Sequence, residues 1–271
     1  MKTPSILPPD WMNNLTLLGC GLSGRVYAID EDWVIKVSNG GERNDLEQAI
    51  ERKIYERIGE HDRFVKYFGL LQGSLVLERM KEQLRLHLQH LREAHQAPST
   101  EFIIRWAMQM AEGLEYLHDK DILQVDMGCH NILLDAKGDA KFCDFAGSSI
   151  DGETATIAPS CHSQHPTDRW DTPHNVVHEL FAFGSALYEI STAWQPYSDK
   201  ADEDIEKLFE EGIFPDTSHL LLDGVIQECW HGHYQNAQEV RCAIDRIKSS
   251  QNGMRARELL SRYVTRFMDL L

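Results

Sequence analysis

The hydrophobic pattern of this chain changes period near residue 80, and that change divides the molecule in two. From Leu15 to Val37 the apolar residues fall in short strand-like runs: Leu15 and Leu17, then Val26, Tyr27 and Ile29, then Trp33-Val34-Ile35-Lys36-Val37. Glycines cluster between the first two runs, as a tight hairpin requires. Between Asn44 and Ile58 the spacing becomes four. Leu46, Ile50, Ile54 and Ile58 recur with charges between them, which predicts one amphipathic helix ended by Gly59. Two further strand-like runs, Phe64–Leu71 and Ser74–Met80, complete this part. Beyond Met80 the chain reads mostly as helix. Pro98-Ser99-Thr100-Glu101 is a start signal for a helix with Ile103, Ile104, Ala107, Met108, Ala111, Leu114 and Leu117 on one broad face. Short strands return at Ile132-Leu133-Leu134 and Ala140–Cys143, an irregular stretch rich in Ser, Thr, Pro and His fills 148–175, and an apolar helix follows at Val177–Thr192. The pattern predicts an α+β, bilobal fold: a five-stranded sheet with one helix, then a larger helical lobe, with the seam at 78–82.

Composition narrows what such a molecule binds. With 42% hydrophobic residues in 271, the chain can bury a core. Lys+Arg 27 against Asp+Glu 43 leaves a net charge of -16, and so acidic a surface repels phosphate backbones, so nucleic acid is not an expected partner. No run approaches the ~18 apolar residues of a transmembrane segment. Met1-Lys2-Thr3-Pro4, running into Pro8-Pro9-Asp10, carries no signal-peptide core. The six cysteines form no C-x-x-C pair and read as reduced thiols, so a cytoplasmic protein is expected, with the nucleus left open. His174/His178 and His231/His233 have spacings that allow a shared metal. With no Cys, Asp or Glu seen to complete a ligand set, no structural zinc is expected at either pair.

Two groups of residues carry chemistry. The first is Gly19-Cys20-Gly21-Leu22-Ser23-Gly24-Arg25-Val26. Its glycines lead into a strand rather than a helix, which sets it apart from a dinucleotide-binding turn. A glycine hairpin of this kind can lay backbone N–H groups over phosphates. Twelve residues after Gly24, Lys36 stands alone in an apolar strand, where it either snorkels to water or holds an anion. Glu51, or Glu47 one turn earlier, is placed to pair with it. The second group runs from Leu123-Gln124-Val125-Asp126 through His130-Asn131 to Lys141-Phe142-Cys143-Asp144-Phe145-Ala146-Gly147. Asp126, Asn131 and Asp144 bring hard oxygen ligands suited to magnesium, with one carboxylate free to accept a proton.

In order and spacing this set resembles the eukaryotic protein kinases. The glycine loop matches in full, Lys36 falls where the third-strand lysine belongs, and Glu51-Arg52-Lys53-Ile54-Tyr55 looks like the C-helix, which favours Glu51 over Glu47. Leu114-Glu115-Tyr116-Leu117-His118 is similar to the lead-in to the catalytic loop. Phe181-Ala182-Phe183-Gly184 with Tyr188-Glu189-Ile190 and Pro196-Tyr197 resembles the central helix of the C-lobe, and Cys229-Trp230 a late marker. The likeness spans residues 15–248. It implies an N-terminal extension at 1–14, a kinase domain at 15–250 (N-lobe 15–77, hinge 78–82, C-lobe 83–250) and an amphipathic C-terminal helix at 251–271.

The resemblance also implies roles. Backbone amides of Gly19, Cys20, Gly21, Leu22, Ser23 and Gly24 would cover the phosphates of ATP. Val26, Val34 and Leu133 would line the nucleotide site with Leu77 as gatekeeper and the backbone of Glu78 to Met80 on the adenine. Lys36, held by Glu51, would grip the α- and β-phosphates, Asp126 would take or orient the substrate proton, and Asn131 and Asp144 would hold Mg²⁺. The expected activity is ATP- and Mg²⁺-dependent phosphorylation of protein hydroxyls, serine/threonine ahead of tyrosine. The alternatives are a pseudokinase scaffold and a small-molecule kinase on the same fold.

Several positions depart from the family pattern. The usual H-R-D reads Gln124-Val125-Asp126, so the arginine that reads a phosphate on the activation loop is missing and activity is expected not to depend on loop phosphorylation. A buried Gln124 must find hydrogen-bond partners. Gly128 stands where serine/threonine kinases carry lysine, and His130 is the nearest substitute. Ala146 replaces the glycine of D-F-G, with Gly147 next door to supply the freedom. A-P-E is absent, His165-Pro166-Thr167 being best placed to stand for it, and Glu179 replaces the usual aspartate of the central helix. Ser148, Ser149, Thr154 and Thr156 are candidate phosphosites. The acidic residues from Asp199 to Glu211 and the C-terminal helix are expected to face solvent and pack on the C-lobe respectively, each with a regulatory partner as the alternative.

Overall fold

The computed structural model describes residues 14–169 and 172–268, with 254–268 as helix backbone only. The first lobe is a five-stranded antiparallel sheet in the order β1-β2-β3-β5-β4, built from β1 (Thr16–Cys20), β2 (Gly24–Ala28), β3 (Trp33–Ser38), β4 (Tyr67–Leu71) and β5 (Ser74–Glu78). Strand β3 is central, pairing Val26 with Lys36 on one side and Lys36 with Leu75 on the other. Side chains alternate along it, so Ile35 is fully buried while Val34 and Lys36 line the cleft below. The one helix of this lobe, α1 (Glu42–Ile58), buries Glu47, Glu51, Ile54, Tyr55 and Ile58. The four-residue apolar spacing predicts a slightly different face. Leu46 lies outside it, half exposed, because the two glutamates have partners inside and Leu46 has none.

The chain leaves the sheet through a short connection and starts the second lobe at β6 (Glu82–Gln83), which joins β8 (Ile132–Leu134) and β9 (Ala140–Phe142) in a small sheet; β7 (Ile122–Leu123) pairs with β10 (Ser149–Ile150). The helices are α2 (Leu84–Glu93), α3 (Thr100–His118), α4 (Val176–Thr192), α5 (Asp202–Glu210), α6 (Asp223–Trp230) and α7 (Ala237–Met268). Ser99 caps α3 by accepting from the Phe102 amide, and the predicted face of α3 is buried together with Trp106 and Met110. Helix α4 is capped by Asn175 and buried on nearly all sides, as its all-round apolar sequence requires.

Three expectations meet a different outcome. The run Phe64–Leu71 does not form one strand: Arg63 and Val65 bond to Phe142 of β9, tying the lobes together, and β4 proper begins at Tyr67. Helix α7 runs without a break across 250, where a separate C-terminal helix is expected to begin. Its described part packs against α3 through Val240 and Ile244, with Arg241 bonded to Glu115. The amphipathic stripe predicted beyond Met254 lies outside the described side chains, as does the extension 1–13. Finally, Ser148 and Ser149 are buried, their hydroxyls donating to the carbonyls of Gln124 and Glu153, and Thr156 donates to Glu47. Of the four candidate phosphosites only Thr154 is exposed. Among the described residues, no helix is long and apolar enough to cross a membrane.

Candidate active site

The two lobes enclose a cleft of about 620 Å³ between the β1–β2 hairpin, β3, the connection at 78–83 and the segments carrying Asn131 and Asp144. The hairpin closes on itself through the Gly21 amide and the Gly24 carbonyl (2.9 Å). Asn39 then clamps it from β3's far end, donating to the carbonyls of Gly21 (3.1 Å) and Leu22 (3.0 Å). Gly19, Cys20, Gly21, Ser23 and Gly24 line the cleft with Val26, Val34, Leu77, Glu78, Met80 and Leu133. Leu22 does not: it sits at the tip of the hairpin with its side chain 92% exposed.

Below the hairpin, Lys36 Nζ lies 2.6 Å from Glu51 Oε2 and 2.7 Å from Asp144 Oδ1. Lysine and glutamate are both buried, so neither charge is tolerable alone and each fixes the other. Burial by itself lowers the Lys36 pKa, but the Asp144 and Glu51 carboxylates outweigh it and hold the ammonium above its ordinary value. On Glu51 burial dominates, pushing its carboxyl up to about 6 against the pull of Lys36. Asp144 shows the reverse balance: burial raises its pKa, yet Lys36 holds it below the usual carboxylate range. Glu47, the other candidate partner, bonds instead to Arg43 (2.9 Å) and Thr156 (3.2 Å). The other oxygen of Glu51 accepts from the Phe145 amide (3.3 Å), and the Phe145 ring is buried edge-on against Tyr55 with centroids 5.1 Å apart.

Asp126 follows a strained turn; it is not among the residues that line the cleft but bonds to His130 and Asn131, which are. Val125 adopts φ +69, an outlier for a β-branched residue. It is held there by its amide, which donates to Glu179 Oε1 (3.0 Å), while Glu179 Oε2 meets His118 Nε2 at 2.5 Å. The longer side chain at 179 therefore keeps a grip on the turn that carries Asp126. Asp126 Oδ2 is bonded to His130 Nε2 (2.8 Å) and Asn131 Nδ2 (3.2 Å), and Asn131 also donates to the Asp126 carbonyl (2.9 Å). A Cβ at residue 128 would lie 2.7 Å from His130 Nδ1, so the glycine there is what lets the imidazole lie beside Asp126. Gln124 is fully buried, and its amide donates to the carbonyls of Cys143 (3.1 Å) and Asp144 (2.9 Å), pinning the two loops together. Its Oε1 has no partner. Gly147, not Ala146, takes the left-handed conformation (φ +85), and a side chain there would strike Ile157.

The donor set fits a hard divalent ion. The Asn131 amide hydrogens are committed to Asp126, which leaves its carboxamide oxygen as the ligand, and Asp144 has a second carboxylate oxygen beside the one on Lys36. At the connection between lobes, the amides of Glu78, Arg79 and Lys81 bond within the protein, whereas that of Met80 finds no protein acceptor among the described residues. The Glu78 side chain is turned away to Lys141 (2.9 Å).

Helix α1 is strapped to the loop that follows Asp144. Arg57 forms a two-point pair with Asp151, Lys53 reaches Asp151 (3.5 Å) and Glu153 (3.3 Å), and Arg43 donates to the Thr156 carbonyl (2.9 Å). These straps, the Asn39 clamp and the Glu78–Lys141 pair escape sequence reading. Their partners lie from 17 to more than 100 residues apart and follow no fixed spacing.

A family profile described as protein tyrosine and serine/threonine kinase matches residues 15–249. The chain is 24% identical over 244 residues to the tyrosine-protein kinase Shark of Drosophila melanogaster, a match covering 76% of this chain and 25% of that protein. It is 27% identical over 251 residues to mitogen-activated protein kinase kinase kinase 1 of Arabidopsis thaliana, covering 79% and 38%. With mitogen-activated protein kinase kinase kinase zak-1 of Caenorhabditis elegans the figures are 22% over 271 residues, 88% and 35%. The chain thus spans well under half the length of these relatives. A profile that covers nearly the whole chain, on a bilobal fold whose cleft joins a strand lysine to a helix glutamate, makes this chain a member of the eukaryotic protein kinase family.

Proposed function

We propose that this chain transfers the γ-phosphoryl group of ATP to protein hydroxyls, serine/threonine rather than tyrosine. The observation that carries the reading is the set Lys36–Glu51–Asp144 lining one cleft with Asn131, which is bonded to Asp126. Backbone amides of the β1–β2 hairpin bind the phosphates, and the Met80 amide receives the adenine edge. Lys36, oriented by Glu51, holds the α- and β-phosphates. Asn131 and Asp144 would hold Mg²⁺, which would offset charge on the phosphate oxygens. The acceptor hydroxyl oxygen bonds to the γ-phosphorus, the bond to the β–γ bridging oxygen breaks, and ADP leaves with the electron pair. Asp126 Oδ takes the hydroxyl proton. His130, on the same carboxylate, keeps it aimed, standing in for the lysine that Gly128 lacks. Neither 128 nor 130 is the arginine that tyrosine kinases place there, which favours serine/threonine.

One observation favours a second reading, a regulatory pseudokinase: Asp126 Oδ2 already carries two intramolecular bonds, and no cation follows at 128. Transfer of labelled phosphate to a peptide array separates the two. The wild type labels peptides, while Asp126→Asn loses about 10²–10⁴ of the rate yet keeps its ATP-induced thermal shift. A wild type that gains stability with ATP and Mg²⁺ but labels nothing is the scaffold.

A further inference from the structure

The tip of the β1–β2 hairpin carries two backbone amides with nothing to bond to. The N–H groups of Leu22 and Ser23 find no acceptor among the described residues, in a hairpin whose Gly21 and Ser23 line the cleft. Backbone donors are left open in this way only where solvent or a ligand takes them. Successive amides at a turn are suited to anionic oxygens.

What orients them lies outside the hairpin. Asn39, one residue past β3, reaches back to the tip. Its Nδ2 donates both hydrogens, one to the Gly21 carbonyl (3.1 Å) and one to the Leu22 carbonyl (3.0 Å), and its backbone amide donates to the Ser23 carbonyl (3.1 Å). Arg25 Nε donates to Asn39 Oδ1 (3.1 Å) and so fixes which way round the carboxamide lies. The swapped orientation would set an oxygen against two carbonyls. This reach needs the hairpin to lie close on β3, and Gly24 permits it: a Cβ there would stand 2.6 Å from the Val37 carbonyl.

The two carbonyls that Nδ2 grips belong to the two peptide units whose N–H groups are unpaired. Gly21 C=O and Leu22 N–H form one unit, Leu22 C=O and Ser23 N–H the next. Among the described residues no peptide bond is cis, so in each unit the C=O and the N–H point opposite ways. Asn39 is exposed and takes no part in lining the cleft. A grip on the carbonyls from outside therefore turns both amides inward.

We propose that Asn39 is a positioning residue for the nucleotide, aiming the Leu22 and Ser23 amides at the phosphates of ATP before it binds; this rests on the reading of the cleft as an ATP site. A hairpin aligned in advance loses less conformational freedom when the phosphates arrive.

The test reads binding, so it is separate from phosphate transfer. The whole chain, as wild type, Asn39→Ala and Asn39→Leu, is titrated by calorimetry with ATP, ADP and adenosine. Leucine keeps the branched shape of asparagine without its donors and adds no charge. Circular dichroism checks that both variants fold. Expected is a loss of about tenfold in ATP and ADP affinity, the scale of two neutral hydrogen bonds, with adenosine affinity unchanged. ATP affinity that stays at the wild-type value overturns the proposal. So does an equal loss for adenosine, which would make the clamp a prop of the whole cleft. A wild type that binds adenosine as tightly as ATP overturns it while leaving a nucleoside site in place, and one that binds neither takes the ATP reading down with it.

Discussion

Single residues in this cleft owe their state to a balance of burial against charge, and Glu51 shows it most clearly. Its carboxyl titrates near 6, above the ordinary glutamate value, because burial outweighs the Lys36 ammonium. At neutral pH it is ionised and holds Lys36. As pH falls through about 6 it takes up a proton and releases that grip. Nucleotide affinity is therefore expected to fall on the acid side with a midpoint near 6, and Glu51→Gln to remove that limb, as ATP thermal-shift titrations across pH would record. The stability sign is the opposite. A folded-state value above the unfolded one means the native state binds the proton more tightly, so this group favours folding as pH drops from 6 toward 4.5. His130 is the second case. Removing the imidazole beside Asp126 in His130→Ala is expected to lower the turnover number by about 10²-fold with little change in ATP affinity, in line with the loss of one preorganised polar contact. Unchanged turnover would leave His130 a bystander.

Among the elements, α1 decides whether the lysine–glutamate pair exists, and the loop after Asp144 decides where α1 sits. Val125 stands where the family's arginine would read a phosphate, and the loop is expected to need none. Asp151 and Glu153 already carry negative charge to Arg57 and Lys53, and Glu47 holds Thr156. Exposed ion pairs are individually weak and screened by salt, so the straps are expected to act on position more than on melting temperature. Arg57→Ala with Lys53→Ala should raise hydrogen exchange in 149–156 and cut phosphate transfer, with the gap to the wild type narrowing in high salt, while phosphatase treatment leaves the wild type unchanged. A phosphatase-sensitive wild type would contradict this account.

At the scale of the molecule, the lobes are joined by more than the connection at 78–82. Phe142 of β9 is buried between Phe64 and the C-lobe, and its backbone bonds both Arg63 and Val65. Phe142→Ala is expected to cost about 3–5 kcal/mol, read from a urea midpoint, because the site is walled on every side and cannot collapse. Periodicity by itself determined the two lobes, the helices α3 and α4 and the seam, since local patterns of apolar residues record which face is buried. Motif order likewise placed Lys36, Glu51, Asp126, Asn131 and Asp144 in one group. Tertiary structure alone decided the rest: that Leu46 yields its place to Glu47, that the run from Phe64 breaks at Tyr67, that α7 passes 250 unbroken, and that Ser148 and Ser149 are sealed in. Glu47 with Thr156, the backbone of Arg63 and Val65 with Phe142, and Ser148 with Gln124 each gain a partner distant in sequence, and that energy appears only when the chain has folded.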